Sequence, residues 1–262
     1  MSLKDHEYYR TDLGVLYHAD CLSIMPELEP VDLVLTDPPY GKTQNKWDII
    51  IPFKDMWQVC NLITNDETAI IITATNPFAA ELICSNIRMF RYDIVWRKVG
   101  KATGFLNSNR MPLRNHELVL VFYKKLPKYN PQKTKGNPNH PKFAKGSHSR
   151  GRKQTNRNYG EFDQSHQSKP TTDKFPLSVQ DFPVVHPPIH PTQKSLQLFE
   201  WLIKTYTDEG DTVLDFTIGS GTTAIACERL NRRWIGIEIE EKYCEIAAKR
   251  IEKEAKQLKL FK

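Results

Sequence analysis

The sequence predicts an α/β fold: a doubly wound, mostly parallel sheet in circularly permuted order, interrupted by a basic insertion. Three observations carry this. The first is the apolar run Val31, Leu33, Val34, Leu35, which reads as a buried parallel strand and stops at Asp37-Pro38-Pro39-Tyr40. The second is the turn Ile218-Gly-Ser-Gly-Thr-Thr223, which lies between a strand and a helix and is followed by a strand ending in Glu238. The third is charge. The 262 residues carry a net +6, yet residues 124–174 hold thirteen Lys/Arg against three Asp/Glu, a net of +10, so the remainder sums to −4.

In chain order, residues 15–19 read as a short strand ending at Asp20-Cys21, and the strand to Asp37 follows. Residues 41–48 (GKTQNKWD) are polar, as suits a lid or a ligand-contacting loop. Phe53, Met56, Trp57, Val59, Cys60 and Ile63 fall on one helical face within 52–64, with Pro52 at the start. Residues 68–73 form a buried strand, and a helix runs from Asn76-Pro77 to about residue 86 with Asn76 as its cap. Strands are expected at 92–97 and 118–123. From 124 to 188 apolar residues become sparse and Pro, Asn, Ser, Gln, Lys and Arg dominate. Helical spacing returns at 195–206. A strand at 212–215, the glycine turn, a helix to Leu230, a strand at 233–238 and an amphipathic helix at 241–258 close the chain. The domain reading is therefore one domain in two halves, 1–123 and 189–262, with an insertion at 124–188.

Composition excludes several classes. The five cysteines are scattered without a CxxC pair, which argues against zinc, against a disulfide framework, and for a reducing cytoplasm; Cys60, Cys84, Cys227 and Cys244 read as core residues, and no metal site is expected. No apolar run reaches membrane-spanning length, and Met-Ser-Leu-Lys-Asp-His does not read as a signal peptide. The concentration of positive charge in one segment is the footprint of a nucleic-acid-binding insertion. Its candidate DNA contacts are Lys133, Lys135, Lys142, Lys145, Arg150, Arg152, Lys153 and Arg157, interleaved with Tyr129, Phe143, Tyr159 and Phe162. A plain linker is the alternative.

The Asp37–Tyr40 loop has its own chemistry. Two prolines in succession stiffen the chain and remove N–H donors. They leave a carboxylate, bare carbonyls and an aromatic face at the carboxyl end of a strand, where α/β sheets bind ligands. An exocyclic amine on a flat base is a poor nucleophile because its lone pair is delocalised into the ring. The Asp37 carboxylate and the Pro38 carbonyl can each accept one of its N–H bonds, drawing electron density to nitrogen, while Tyr40 stacks on a flipped base. On the other side, Gly219 and Gly221 let backbone approach a ligand closely. Glu238, at the end of the next strand, can take two ribose hydroxyls. The turn continues Thr222-Thr223-Ala224 rather than to a third glycine, so a nucleoside cofactor without a pyrophosphate suits it. If the Asp20 strand is third in this half, the spatial order is the Asp20, Glu238, Asp215 and Asp37 strands.

With these motifs the chain resembles the β group of DNA amino-methyltransferases, in which the catalytic motif precedes the target-recognition region and the cofactor motif comes last. The resemblance rests on Ala19-Asp-Cys21, TDPPYG at 36–41, Pro112-Leu-Arg-Asn-His-Glu-Leu-Val-Leu-Val-Phe122, HPTQK at 190–194, LDFTIGSGTT at 214–223 and GIEIEEKYCEIAAKRI at 236–251. It implies a Rossmann-like methyltransferase fold and S-adenosylmethionine as cofactor. It implies that Asp37 and Pro38, with Pro39, hold the target amine and that Tyr40 stacks on the base. Gly219, Ser220, Gly221 and Thr222 would line the methionine portion of the cofactor, Asp215 would reach its amino group, and Glu238 would hold the ribose. Asp20 and Cys21 would flank the adenine; His190, Thr192 and Lys194 would close over the methionine end. Two departures stand out: Phe216-Thr217 where the family often has Pro-Phe, and Ser195 where it often has Pro.

Adenine N6 and cytosine N4 pose the same amine problem. Within the family, Asp at position 37 goes mainly with adenine, so transfer to adenine N6 in double-stranded DNA is expected, with N4-cytosine as the alternative. RNA or protein amines, and a non-catalytic DNA-binding relic, are the further readings. Similar chains occur in phage, prophage and restriction–modification settings, which brings a cognate restriction endonuclease and a homodimer into view as partners.

Overall fold

The structure is a computed structural model that describes residues 3–42, 48–137, 172–185 and 194–260, and the backbone of 154–156 and 160–162. The chain divides into two compact units, Met1–Asn130 with Ser178–Lys262, and Pro131–Leu177.

The larger unit is built on one nine-stranded sheet. In chain order its strands and helices are β1 (Glu7–Arg10), β2 (Gly14–His18), α1 (Cys21–Ile24), β3 (Val31–Thr36), α2 (Phe53–Leu62), β4 (Thr64–Ala74), α3 (Phe78–Ser85), β5 (Phe90–Val99) and β6 (His116–Phe122). The smaller unit supplies β7 (Thr134–Lys135), β8 (Gln154–Asn156), β9 (Gly160–Phe162) and β10 (Asp173–Lys174). The larger unit resumes with β11 (Val179–Pro183), α4 (Leu196–Tyr206), β12 (Thr212–Asp215), α5 (Thr222–Leu230), β13 (Arg233–Glu238) and α6 (Glu241–Leu260).

The sheet order is β1-β2-β13-β12-β3-β4-β6-β5-β11. Its centre, β2 through β4, is parallel throughout, and β6 runs antiparallel to both β4 and β5. The expected order of the Asp20, Glu238, Asp215 and Asp37 strands is the order found. Alternation along the strands sorts the core into two layers. Val34, Ile70 and Ile72 pack against Met56, Trp57 and Phe78, while Leu33, Leu35 and Ile71 pack against Leu198, Leu202, Ala224 and Ile251. Helices α1–α3 therefore cover one face and α4–α6 the other, which is why the central strands carry continuous apolar runs.

Three expectations change. Asn76 does not cap α3: the helix begins at Phe78 with Pro77 at the cap position, no side chain caps it, and Ala79 N–H bonds to the carbonyl of Thr75. Cys84, expected in the core, is exposed. The segment drawn as an insertion over 124–188 contributes β11 to the main sheet, parallel to β5 from Val179↔Val95 to Pro183↔Val99. It is an edge strand ending in proline, where a missing N–H costs no ladder bond. In the smaller unit, β7 pairs with β10 and β8 with β9, both antiparallel. Lys135 pairs with Asp173, and Lys133 Nζ lies 4.5 Å over the Phe175 ring.

Candidate active site

The carboxyl ends of β2, β13, β12 and β3 open onto a cavity of about 440 Å³, within the range typical of small-ligand sites. Asp37, Pro38 and Tyr40 line one side, and Asp215, Gly219 and Glu238 the other. Parallel pairing of β12 with β3 (Leu214↔Val34) and of β12 with β13 (Asp215↔Gly236) sets these three strand ends side by side.

On the β3 side the loop is held rigidly. Tyr40 donates its hydroxyl to Asp37 Oδ1 at 2.5 Å, Thr73 Oγ1 donates to the same oxygen, and Lys194 Nζ lies 2.8 Å from Oδ2. A carboxylate offers roughly four acceptor positions. Three are taken by described residues, and the one left open among them is on Oδ2. The Tyr40 ring packs on Phe78 with centroids 4.9 Å apart. Burial, with the charges of Asp37 and Glu117, pushes its phenol well above the ordinary value, so it remains a donor. Downstream, the buried Asp48 accepts the N–H groups of Gly41 and Lys42 at 2.9 Å each, and Lys42 Nζ donates to Thr75 Oγ1 at 2.6 Å. The polar loop is thus anchored at both described ends; residues 43–47 lie outside the described residues.

Lys194 belongs to a buried charge network that the sequence does not announce. Its Nζ also lies 3.2 Å from Glu117 Oε2, and Lys98 pairs with Glu117 Oε1. Burial opposes the Lys194 charge, but Asp37 and Glu117 outweigh it and raise its pKa. Burial likewise opposes the Glu117 charge, and Lys194 and Lys98 outweigh it and lower its pKa. Lys194, expected over the cofactor's methionine end, lines the cavity and contacts the Asp37 carboxylate directly. His190 and Thr192 lie outside the described residues, as do Lys142, Lys145, Arg150, Arg152, Lys153 and Arg157.

On the β12–β13 side, the turn after β12 needs left-handed backbone at Gly219 (φ +53°) and Gly221 (φ +82°). The two have different surroundings. A Cβ on Gly219 would meet nothing nearer than 3.9 Å, and Gly219 lines the cavity. A Cβ on Gly221 would lie 3.1 Å from Ala247 Cβ in α6, so the missing side chain there makes room for α6. Ser220 and Thr222 do line the cavity, and Arg250 in α6 donates to Ser220 Oγ at 2.8 Å. Asp20 caps α1 through the Leu22 N–H at 3.0 Å and stands at the rim beside the buried Cys21.

Two acids face this half of the cavity. Glu238 accepts Gly219 N–H at Oε2 and Glu240 N–H at Oε1, each at 2.9 Å. Burial raises its pKa against backbone hydrogen bonds from Glu240, Gly219 and Ile239, and the carboxylate lines the cavity. Asp215 is buried and accepts from Thr36 Oγ1 at 2.9 Å, from Thr217 N–H at 3.2 Å and from Thr223 Oγ1. Burial pushes its carboxyl up to about 7 in spite of those bonds. Apolar Ile218, Ile237, Ile239 and Tyr243 complete the wall. An apolar slot, a buried carboxylate and an open glycine backbone fit a nucleoside.

Comparison with known proteins bears on this site. The family model for DNA methylases of the N6/N4 type matches residues 31–249. The type II methyltransferase M2.LlaDCHI of Lactococcus lactis subsp. cremoris is 26% identical over 276 aligned positions, covering 95% of this chain and 93% of its own. M2.DpnII of Streptococcus pneumoniae is 52% identical over 65 residues, about a quarter of each protein (25% and 24%). Among solved structures, the M1.HpyAVI–SAM complex is 27% identical with TM-score 0.61, covering 91% of this chain and all of that one. The cytosine-N4-specific PvuII methyltransferase, 17% identical, has TM-score 0.66 over 96% of this chain and 94% of its own, a likeness of fold. With more than four-fifths of its length inside the family model and the sheet order of a methyltransferase, the chain belongs to the DNA methylase family, the amino-methyltransferases of the N6/N4 type.

Proposed function

We propose that this protein transfers a methyl group from S-adenosylmethionine to the exocyclic N6 of adenine in double-stranded DNA, after flipping the base out of the helix. The observation that carries the reading is the opening of the Asp37–Tyr40 loop and the Gly219–Glu238 wall onto one cavity. When bound, S-adenosylmethionine supplies an electrophilic methyl group. Glu238 would hold the ribose hydroxyls, Asp215 the amino group of the methionine portion, Gly219, Ser220 and Thr222 the rest of that portion, and Asp20 and Cys21 the adenine ring.

The remaining steps belong to the chain's own groups. The free lone pair on Asp37 Oδ2 and the Pro38 carbonyl each accept one N–H of the target amine. Both acceptors draw on the amine's N–H bonds and favour tetrahedral nitrogen as it attacks. Pro39 keeps this stretch free of competing donors. Tyr40 offers its ring edge and face to the flipped base while its hydroxyl holds Asp37 still. Lys194 keeps the opposite side of Oδ2 in place. Aspartate at position 37 supports adenine over cytosine, since the family resembled places serine there mainly for cytosine. Lys133 and Lys135 are exposed on the second unit, and surface pairing such as that of Lys135 with Asp173 is too weak to withhold them from phosphate. A cognate restriction endonuclease is a partner consistent with the type II relatives. Long-read sequencing of DNA from methylation-deficient cells expressing the protein tests the reading: N6-methyladenine at one recurring sequence supports it, and unmodified DNA overturns it.

A further inference from the structure

We infer that the loop joining β5 to β6 is a wedge that enters the duplex beside the target base, with Phe105 and Leu106 as its apolar tip and Lys101, Arg110 and Arg114 on the flanking phosphates. This rests on the reading of the protein as a DNA methyltransferase. Hairpin connections usually take about two to five residues. Here sixteen separate Val99 from His116, and every residue from Val99 to His116 is exposed. The loop nevertheless has a defined shape. Thr103 and Arg114 exchange backbone bonds at 2.8 and 3.0 Å, and a short turn over Phe105–Asn107 is closed by Asn107 N–H to Gly104 O at 2.9 Å and Ser108 N–H to Phe105 O at 3.2 Å. A formed loop that buries nothing of its own places its side chains for something else.

Its apolar side chains are extreme. Phe105 is 76% exposed, Leu106 85%, Met111 56% and Leu113 47%. Single exposed apolar residues are ordinary, but a cluster on one projecting loop marks a contact surface. The three cations beside them form no ion pair among the described residues. Apolar tips between basic side chains match a stacked, polyanionic partner, and apolar wedges between base steps are how proteins prise DNA open.

Position decides the partner. The loop rises from the strand ends next to the catalytic loop: Glu117, the second residue of β6, touches Lys194, which touches Asp37. Burial lowers the pKa of Lys42, and the charge of Arg114 adds to that, so Arg114 stands near the Lys42 ammonium that is tied to Thr75. A duplex that delivers a base to Asp37 must lie across this rim, and the space the base vacates needs an apolar occupant.

The test compares Phe105→Ser/Leu106→Ser with Lys101→Gln/Arg110→Gln/Arg114→Gln, on a duplex carrying the recognition sequence read from methylated DNA. Both variants should keep the wild-type melting temperature, because the altered side chains are exposed. On the fully paired duplex the serine variant should lose about tenfold or more in kcat/KM. With a mismatch opposite the target it should recover to within about threefold of wild type, because a base already unpaired needs no wedge. The cation variant should flatten the log–log salt dependence of binding by about 0.9 for each phosphate it no longer neutralises. Equal activity of the serine variant and wild type on the paired duplex, or an equal loss on both duplexes, would overturn the wedge. So would a wild-type dimer that the serine variant dissolves without altering methylation, since the tip would then be a contact between copies. Wild-type inactivity on both duplexes would overturn the methylation reading and the wedge with it.

Discussion

Replacing Lys194 by Met removes a cation that touches both Asp37 and Glu117. Nζ lies 2.8 Å from Asp37 Oδ2 and 3.2 Å from Glu117 Oε2, and its side chain is 8% exposed. The variant leaves two carboxylates facing a methionine side chain. Glu117 keeps Lys98, and Asp37 keeps the hydroxyls of Tyr40 and Thr73. Breaking a buried pair from one side costs about 3–5 kcal/mol, because the desolvated charge left behind loses its compensation. At a urea m-value of about 2–3 kcal/mol/M, the midpoint should fall by about 1–2 M. The folded-state pKa of Lys194 is raised, so its contribution is fully present at neutral pH and is lost as pH rises through that raised value. That of Glu117 is lowered, so its contribution is present above its ordinary 4.5 and is lost as pH falls through the lowered value. The assay is urea unfolding followed by tryptophan fluorescence at pH 7.5, for Lys194→Met, Glu117→Gln and the double variant. The two effects should be non-additive by about 1 kcal/mol or more, as expected of contacting charges. A Lys194→Met loss below about 1 kcal/mol, or strict additivity with Glu117→Gln, would refute the network as a unit.

Three further outcomes follow from the geometry. Glu238→Ala should weaken S-adenosylmethionine binding by at least about tenfold in calorimetry, since charge-assisted bonds to ribose are each worth about 1.5–3 kcal/mol, while DNA affinity stays near wild type. Asp215 has its carboxyl raised from the ordinary 3.8 to about 7, so its ionised form is lost as pH falls through about 7. Cofactor affinity should therefore drop between pH 8 and pH 6, and Asp215→Asn should show weaker binding with no such slope; the same shift makes the ligand-free fold less stable as pH rises from about 4 to about 7. Neutralising Lys133, Lys135, Lys142 and Lys145 together should flatten the salt dependence of duplex binding by about 0.9 for each phosphate left without its cation, with cofactor binding unchanged; an unaltered slope would locate the DNA surface elsewhere.

The central sheet was legible because its strands are buried on both faces. Continuous runs such as Val31–Leu35, set against helices of clear period, leave few alternatives, and the glycine turn fixed which strand carries Glu238. The edges were not legible. Glu7-Tyr-Tyr-Arg in β1 and Val-Gln-Asp-Phe-Pro in β11 are short, half exposed and without an apolar run, so their strand state comes from the neighbours they pair with. The candidate site divides the same way. Asp37, Tyr40, Gly219 and Glu238 are marked by local motifs and do face one cavity. The Lys194–Asp37–Glu117–Lys98 network joins four distant stretches of chain, and no local spacing signals it. Glu117 did sit inside the motif at 112–122, and a charged residue just before the apolar run Leu118–Phe122 was the available hint. Gly221 carries a packing reason that the motif did not show: its missing side chain makes room for α6.

The most direct measurement is mass spectrometry of nucleosides from DNA incubated with the purified protein and S-adenosylmethionine bearing a deuterated methyl group, run beside Asp37→Ala. The wild type should place the label on adenine N6. Asp37→Ala should lose about 10²-fold or more of that rate while still binding the cofactor, because Asp37 acts on the target amine. Label on cytosine N4 would contradict the adenine assignment, and near-wild-type turnover by Asp37→Ala would contradict the role of the carboxylate at the end of β3.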